Sequence, residues 1–111
     1  MRESDMSHAN LAKSDLSYAN LHGCDMSHAN LQGCDMSQAN LIGADLDYAS
    51  ITLSCKCLLA KVDKRLAVQL LYHACRWLQS VDDDECREFL QLEQVKKLAN
   101  QFHRVDECGE I

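Results

Sequence analysis

Cysteine and histidine side chains have the greatest potential for chemistry in the second half of this chain. From residue 55 onward they are Cys55, Cys57, His73, Cys75, Cys86, His103 and Cys108. Structural zinc sites commonly pair cysteines with about two to four intervening residues, and no two cysteines of this chain have that spacing. His73 and Cys75, two residues apart, would point in different directions on a helix. The spacing favours ordinary thiols and surface imidazoles over a metal site, and no cofactor is expected.

Catalytic signatures are also missing from the sequence. We find no paired nucleophile and base, no glycine-rich phosphate loop and no isolated pair of carboxylates. The serines in the first half recur at Ser7, Ser17, Ser27 and Ser37, so they belong to a repeat and not to a unique site. The sequence therefore predicts a protein that is not an enzyme and has no small-molecule substrate.

The first half of the chain is organised by a short internal repeat. Cut every ten residues from Ser4, it reads SDMSHANLAK, SDLSYANLHG, CDMSHANLQG, CDMSQANLIG and ADLDYASITL. Every five residues the pattern returns: a small residue, Asp or Asn, an apolar residue and two variable positions. A period of five fits neither the helical nor the strand template, and its persistence is typical of a solenoid.

This run resembles the pentapeptide-repeat family, whose units are written A(D/N)LXX. Five segments match that pattern residue for residue: Ala9-Asn10-Leu11, Ala19-Asn20-Leu21, Ala29-Asn30-Leu31, Ala39-Asn40-Leu41 and Ala44-Asp45-Leu46. The resemblance implies a right-handed quadrilateral β-helix in which four units form one square coil. It implies a mainly β fold of about 2.5 coils over residues 4–54, and it says little about activity.

With four units per coil, residues twenty apart should lie above one another. The apolar positions then form inward columns, and we expect a structural core of Met26, Leu31, Met36, Leu41, Leu46 and Ile51. The small positions, including Cys24 and Cys34, should fill the space beside them as buried packing thiols. Turns of type II are predicted at Gly23, Gly33 and Gly43, because glycine adopts a positive φ at little cost. Less regular turns are predicted at the corners without glycine.

Two opposed outer faces of the predicted coil are acidic. They carry Asp5, Asp15, Asp25, Asp35 and Asp45. These columns could form a contact face for a partner, or they could only keep the rod soluble. His8, His28 and Tyr48 should stack on one corner, as a contact strip or simply as exposed corner residues.

The first coil should leave an open β-edge. Met6, Leu11, Leu16 and Leu21 lie near it and form a candidate self-association edge, since open edges invite pairing with another chain. Either another molecule covers this edge, or the chain is a truncated remnant of a longer rod.

After Leu53 the register fails, because a further unit would bury Lys56 in an apolar column. Residues 55–62 are expected to cross over the end of the coil. An α-helical cap over 63–104 should follow, with helices at about 63–79, 83–91 and 93–104 and with Leu66, Leu70 and Trp77 on or near the stack. Residues 105–111 are expected to be a flexible tail that is disordered or loosely docked.

Composition narrows the classes of partner. The net charge of −6 argues against direct binding to nucleic acid or to an acidic membrane, and no apolar stretch approaches the ~20 residues that span a bilayer. Seven cysteines without a disulfide framework favour a reducing cytoplasm. We therefore expect a non-enzymatic protein-binding or scaffold module that associates with itself, as a dimer, through the open first coil. The alternative, suggested by a quinolone-resistance branch of the resembled family, is a DNA-mimicking inhibitor of an enzyme such as gyrase.

Overall fold

Parallel backbone bridges join residues twenty apart throughout the repeat. The structure, a computed structural model, describes residues 4–111. In it Asp5 pairs with Asp25 and Asp25 with Asp45, and the other faces follow the same rule. The amide of Met6 donates to the Asp25 carbonyl at 2.7 Å, and the amide of Asp25 donates to the Ser4 carbonyl at 3.0 Å. Residues twenty apart therefore stack directly, as the repeat predicts.

The pairing is of β type, but it consists of isolated bridges. No strand of several residues forms within residues 4–111, where the regular elements are helices. Each side of the coil holds only a few residues between turns, which is too short for a continuous ladder. The expectation of a mainly β protein is therefore met only in its pairing pattern.

The corners of the coil share one geometry. In each, the amide of the small residue donates to the carbonyl three residues earlier, as from Ala9 to Met6 at 3.1 Å and from Ala44 to Leu41 at 3.0 Å. The residue before the small one has a positive φ whether it is glycine, as at Gly43 (76°), or not, as at His8 (60°). The prediction of less regular turns at the non-glycine corners is wrong in this respect.

The core of the coil matches the expected columns except at one end. Met26, Leu31, Met36 and Leu41 are buried. Leu46 is half-buried, and Ile51 is 37% exposed, so Ile51 was wrongly assigned to the core. Ile51 lies in the third coil, where within the described chain no further repeat unit follows to cover it.

The stack continues beyond Ser54 instead of ending there. Helix α1 (Cys55–Leu58) forms a single turn, capped by the Ser54 hydroxyl. The amide of Met36 then donates to the Lys56 carbonyl at 2.8 Å, and Lys61 bridges Asn40. The expected crossover at 55–62 is therefore part of a third coil. Only the Lys56 backbone enters the register, while its side chain stays exposed, so no charge is buried.

The chain divides into two units: unit 1 runs to Asp63 and unit 2 spans Lys64–Ile111. Unit 2 holds helices α2 (Lys64–Gln79), α3 (Asp84–Leu90), α4 (Glu93–Ala99) and the short α5 (Val105–Cys108). Asp83 caps α3 by accepting from the Cys86 amide.

Two apolar clusters hold unit 2 together. One contains Val68, Tyr72 and Phe102, and the other contains Cys75, Leu90 and Ala99. Helix α4 ends at Ala99 instead of continuing to 104, because the chain turns there and carries Phe102 back against α2. Leu66 is buried, whereas Leu70 and Trp77 are exposed, Trp77 by 67%. The capping role of unit 2 stays a prediction.

Candidate functional site

The first coil, Ser4–Gly23, is the candidate self-association edge, and its side chains are unequally covered. Leu16 and Leu21 are buried, whereas Met6 and Leu11 are half-buried. Sequence reasoning placed all four near the edge. The structure places Leu16 and Leu21 in the core of unit 1, so only Met6 and Leu11 have apolar surface left to lose.

The backbone of the first coil is paired on one side. Its amides at Met6, Leu11, Leu16 and Leu21 donate to the second coil, and the second coil donates back to Ser4, Ala9, Ser14 and Ala19. In the second coil, amides such as those of Asp25 and Asn30 donate to the coil before them. The matching amides of Asp5 and Asn10 meet no other coil within residues 4–111.

Each aspartate of the outer columns accepts a hydrogen bond from the backbone amide two residues later and so stabilises the adjacent turn. The Oδ1 atom of Asp25 accepts from the Ser27 amide at 3.0 Å and from the Ser27 hydroxyl at 2.6 Å. Asp5 and Asp15 make the same two contacts with Ser7 and Ser17. Where the residue is Asn, as at Asn30, Oδ1 accepts only the amide two residues on. The aspartates therefore have a structural role, whatever else they contact.

Hydrogen bonding favours the ionised form of three of these aspartates. The serine hydroxyl and the amide at the second following residue both lower the pKa of Asp5, Asp15 and Asp35. The sequence already carried a signal for this pairing, because serine follows Asp by two residues in four units but never follows Asn at that spacing. We did not draw that inference from the sequence.

The corner column expected from the repeat forms a continuous aromatic stack. The rings of His8 and His28 are 4.7 Å apart between centroids and 8° from parallel. The rings of His28 and Tyr48 are 4.8 Å apart and 13° from parallel. These spacings follow the separation of adjacent coils, about 4.8 Å.

The cysteines form no disulfide. No group of three or more metal-ligating side chains forms in the part of the chain that the structure describes. Cys34 and Cys57 are buried with sulfur atoms 3.8 Å apart. Burial, together with the hydrogen bond to Cys57, raises the pKa of Cys34 to about 12. Such a thiol packs and does not react.

No helix among residues 4–111 has both the length and the apolar character needed to cross a membrane.

The surface of unit 2 carries a second group of contacts that sequence reasoning missed. There Tyr72 and Arg76 of α2 bind the backbone of the last residues. Neither residue carries a motif, and the contacts link positions more than thirty apart, so no local signal could have revealed them.

Comparison with known proteins addresses the repeat. A model of the family described as pentapeptide repeats matches residues 1–33 and 19–55, with eight copies. Curated proteins give no match. Among solved structures, the chain is similar to a pentapeptide repeat protein (Rfr23) from the cyanobacterium Cyanothece 51142. The two are 29% identical with a TM-score of 0.41, over 58% of this chain and 43% of the length of that one. With eight matched copies and twenty-residue stacking, the chain belongs to the pentapeptide-repeat family.

Proposed function

We propose that this protein is a non-enzymatic protein–protein interaction or scaffold module that associates with itself through the edge of its first coil. Pentapeptide-repeat proteins are generally non-enzymatic repeat proteins. The observation that carries the proposal is the one-sided pairing of the first coil, whose outward amides at Asp5 and Asn10 meet no other coil within residues 4–111. In the family, this stacking corresponds to a quadrilateral β-helix, here of about three coils.

A second copy offers what this edge lacks. Its own first coil presents the same spacing of donors and acceptors, and pairing would bury the remaining apolar surface of Met6 and Leu11. A partner with another backbone spacing could satisfy only some of these groups. Self-association therefore fits the edge better than docking of an irregular loop.

Leu11→Lys tests this proposal. Because Leu11 is half-buried at the edge, a lysine can reach water in the monomer but would be trapped in an end-to-end dimer. We expect the wild-type chain to sediment as a dimer at micromolar concentration and the variant to sediment as a folded monomer.

Tyr18→Lys is the matched control. Tyr18 lies in the same coil but is 79% exposed on a corner, so its replacement should leave the dimer intact. A wild-type chain that remains monomeric at high micromolar concentration would contradict the proposal, as would equal dissociation by both variants.

The acidic columns support a second candidate function, inhibition of a DNA-binding enzyme such as gyrase by imitation of duplex DNA. Hydrogen bonding lowers the pKa of Asp5, Asp15 and Asp35, so these three residues stay charged to a lower pH than an ordinary aspartate does. Three coils at about 4.8 Å give a short rod, however, against one duplex charge per ~1.7 Å. A supercoiling assay tests this candidate, since gyrase that is undisturbed at high micromolar protein would exclude it.

We further propose a cytoplasmic location. It is supported by seven cysteines that form no disulfide, a state which a reducing compartment preserves. Fractionation of cells expressing a tagged full chain would test it, and recovery from an oxidising compartment would contradict it.

A further inference from the structure

The last three residues of the sequence, Gly109–Ile111, are held by side chains of unit 2. The Tyr72 hydroxyl donates to the Gly109 carbonyl at 2.6 Å. The Nη2 atom of Arg76 donates to the carbonyls of Cys108 at 2.9 Å, Gly109 at 2.8 Å and Glu110 at 3.2 Å. This segment was expected to be either disordered or loosely docked. The structure has it docked, because α5 and these contacts hold it against α2.

All of these polar contacts recognise backbone. The Oδ1 atom of Asn100 completes the set by accepting from the Ile111 amide at 2.7 Å. Arg76 is itself positioned by the hydrogen bond from its Nε atom to the Tyr72 hydroxyl oxygen, at 2.9 Å. The arrangement can therefore bind any short segment that presents carbonyls at the same spacing.

Two positions of the segment nevertheless require particular residues. Gly109 has φ +88°, and a Cβ atom there would lie 3.0 Å from Nη2 of Arg76, so only glycine fits without displacing the guanidinium. Ile111 packs against both apolar clusters of unit 2. Between them, Glu110 is exposed. The selected pattern is glycine, any residue, then an aliphatic residue.

The segment is attached by few contacts. Residues 106–110 are exposed, Ile111 is the one apolar anchor of the final three residues, and the hydrogen bonds from Arg76 to the segment are open to solvent. Segments with little buried apolar surface open more readily than the core around them. Release would leave Tyr72, Arg76 and Asn100 facing an apolar recess.

We propose that this recess, which we call the tail groove, is a peptide-binding site. It is bounded by Val68, Tyr72 and Arg76 of α2 and by Asn100 and Phe102 after α4. Residues 109–111 occupy it in cis, and a glycine–any residue–aliphatic segment of a partner protein takes their place. This site lies in unit 2 and does not depend on the edge of the first coil.

The full-length Gly109→Ala chain tests the proposal. The substitution weakens the cis segment at its tightest contact and leaves the groove residues unchanged. The probe is a fluorescein-labelled peptide with the sequence of residues 105–111, carrying Cys108→Ser. By fluorescence anisotropy, we expect the Gly109→Ala chain to bind it at least ~10-fold more tightly than the wild type, whose groove is already occupied. A full-length Glu110→Ala chain is the matched control and should behave like the wild type.

Peptide variants examine the recognition pattern. Ile111→Ala or Gly109→Ala in the peptide should weaken binding by ~10-fold or more, whereas Glu110→Ala should leave it unchanged. A folded Gly109→Ala chain that does not bind the peptide would overturn the proposal, as would binding that is indifferent to both peptide changes.

Hydrogen exchange on the wild-type chain gives a second measurement that does not rely on the variant. The Ile111 amide is hydrogen-bonded to Asn100, so displacement of the segment by excess peptide should accelerate its exchange. Unchanged exchange at saturating peptide would overturn the proposal. Dimers formed by exchanged tails would also overturn it, since the occupant would then be a second copy and not a partner protein.

Discussion

Replacement of Gly43 by alanine isolates the conformational cost of a coil corner. Gly43 has φ +76°, and a Cβ atom built there lies 3.6 Å from the backbone of Gly23, an ordinary contact. Its amide donates to Asp63, which alanine would preserve. The substitution therefore changes backbone preference and little else. Gln38, at φ 60° on another corner, offers the reverse experiment.

The magnitudes follow from two opposing terms. A left-handed conformation costs an L-residue roughly 1–2 kcal/mol, while alanine lowers the entropy of the unfolded chain by the equivalent of about 0.4–1 kcal/mol. Gly43→Ala should therefore destabilise unit 1 by about 1 kcal/mol. Gln38→Gly removes the cost of the left-handed conformation but raises the entropy of the unfolded chain. The substitution should therefore be neutral or stabilising by up to about 1 kcal/mol.

Urea unfolding followed by circular dichroism measures both free energies of unfolding. The pair is informative because the two corners share their hydrogen-bonding pattern and differ in residue type. The reasoning fails if Gly43→Ala is as stable as the wild type. It also fails if Gln38→Gly loses more than about 1 kcal/mol, since that would show the glutamine side chain, and not its φ, to be decisive.

Three further predictions concern the core, the thiols and pH. Leu31→Ala should lower the free energy of unfolding in urea by about 2–5 kcal/mol. Ile51→Ala should lower it much less, because Ile51, in the same column, is already 37% exposed. Equal losses would contradict the assigned end of the core. In the native chain, iodoacetamide should label exposed Cys108 and spare Cys34, whose pKa is raised to about 12, as mass spectrometry of peptides would show; early labelling of Cys34 would contradict its burial. Hydrogen bonding lowers the pKa of Asp35 in the folded state below its unfolded value, so the ionised carboxylate stabilises the fold. This stabilisation should be complete above about pH 4 and be lost as the pH falls further. Asp35→Asn should flatten the dependence of the unfolding free energy on acid pH, and an unchanged dependence would refute this assignment.

The corners of the coil show how far the local sequence could predict backbone conformation. Glycine at every tenth residue predicted positive φ at three corners, and the structure has it there. Positions such as Tyr18 and Gln38 gave no such signal, because their residue types prefer negative φ. Pairing with the next coil fixes them, since the amide of Tyr18 donates to Ser37 at 2.9 Å and holds the corner. Tertiary contact overrides the intrinsic preference.

Some features of the candidate sites could be predicted from the sequence, and others became known only from the structure. The repeat placed Met6, Leu11 and the aspartate columns correctly relative to the coil, because side-chain direction follows from position in the unit. The two-residue spacing of Asp and Ser was a signal for the bonds between Asp25 and Ser27, but it was recognised only once the structure showed them. The tail groove could not be predicted from the sequence, because Arg76 and Gly109 come into contact only when unit 2 is folded.

The sequence predicted the twenty-residue stack, because its five-residue repeat resembles that of a family whose coils hold four units each. Where the stack stops was decided by tertiary structure. The chain around α1 holds one extra residue, so Lys61 pairs with Asn40, twenty-one residues earlier. The Cys57 sulfur lies beside that of Cys34, twenty-three residues earlier, and counting in fives reaches neither contact. The docking of residues 109–111 was decided in the same way, because its free energy comes from contacts with residues distant in the chain.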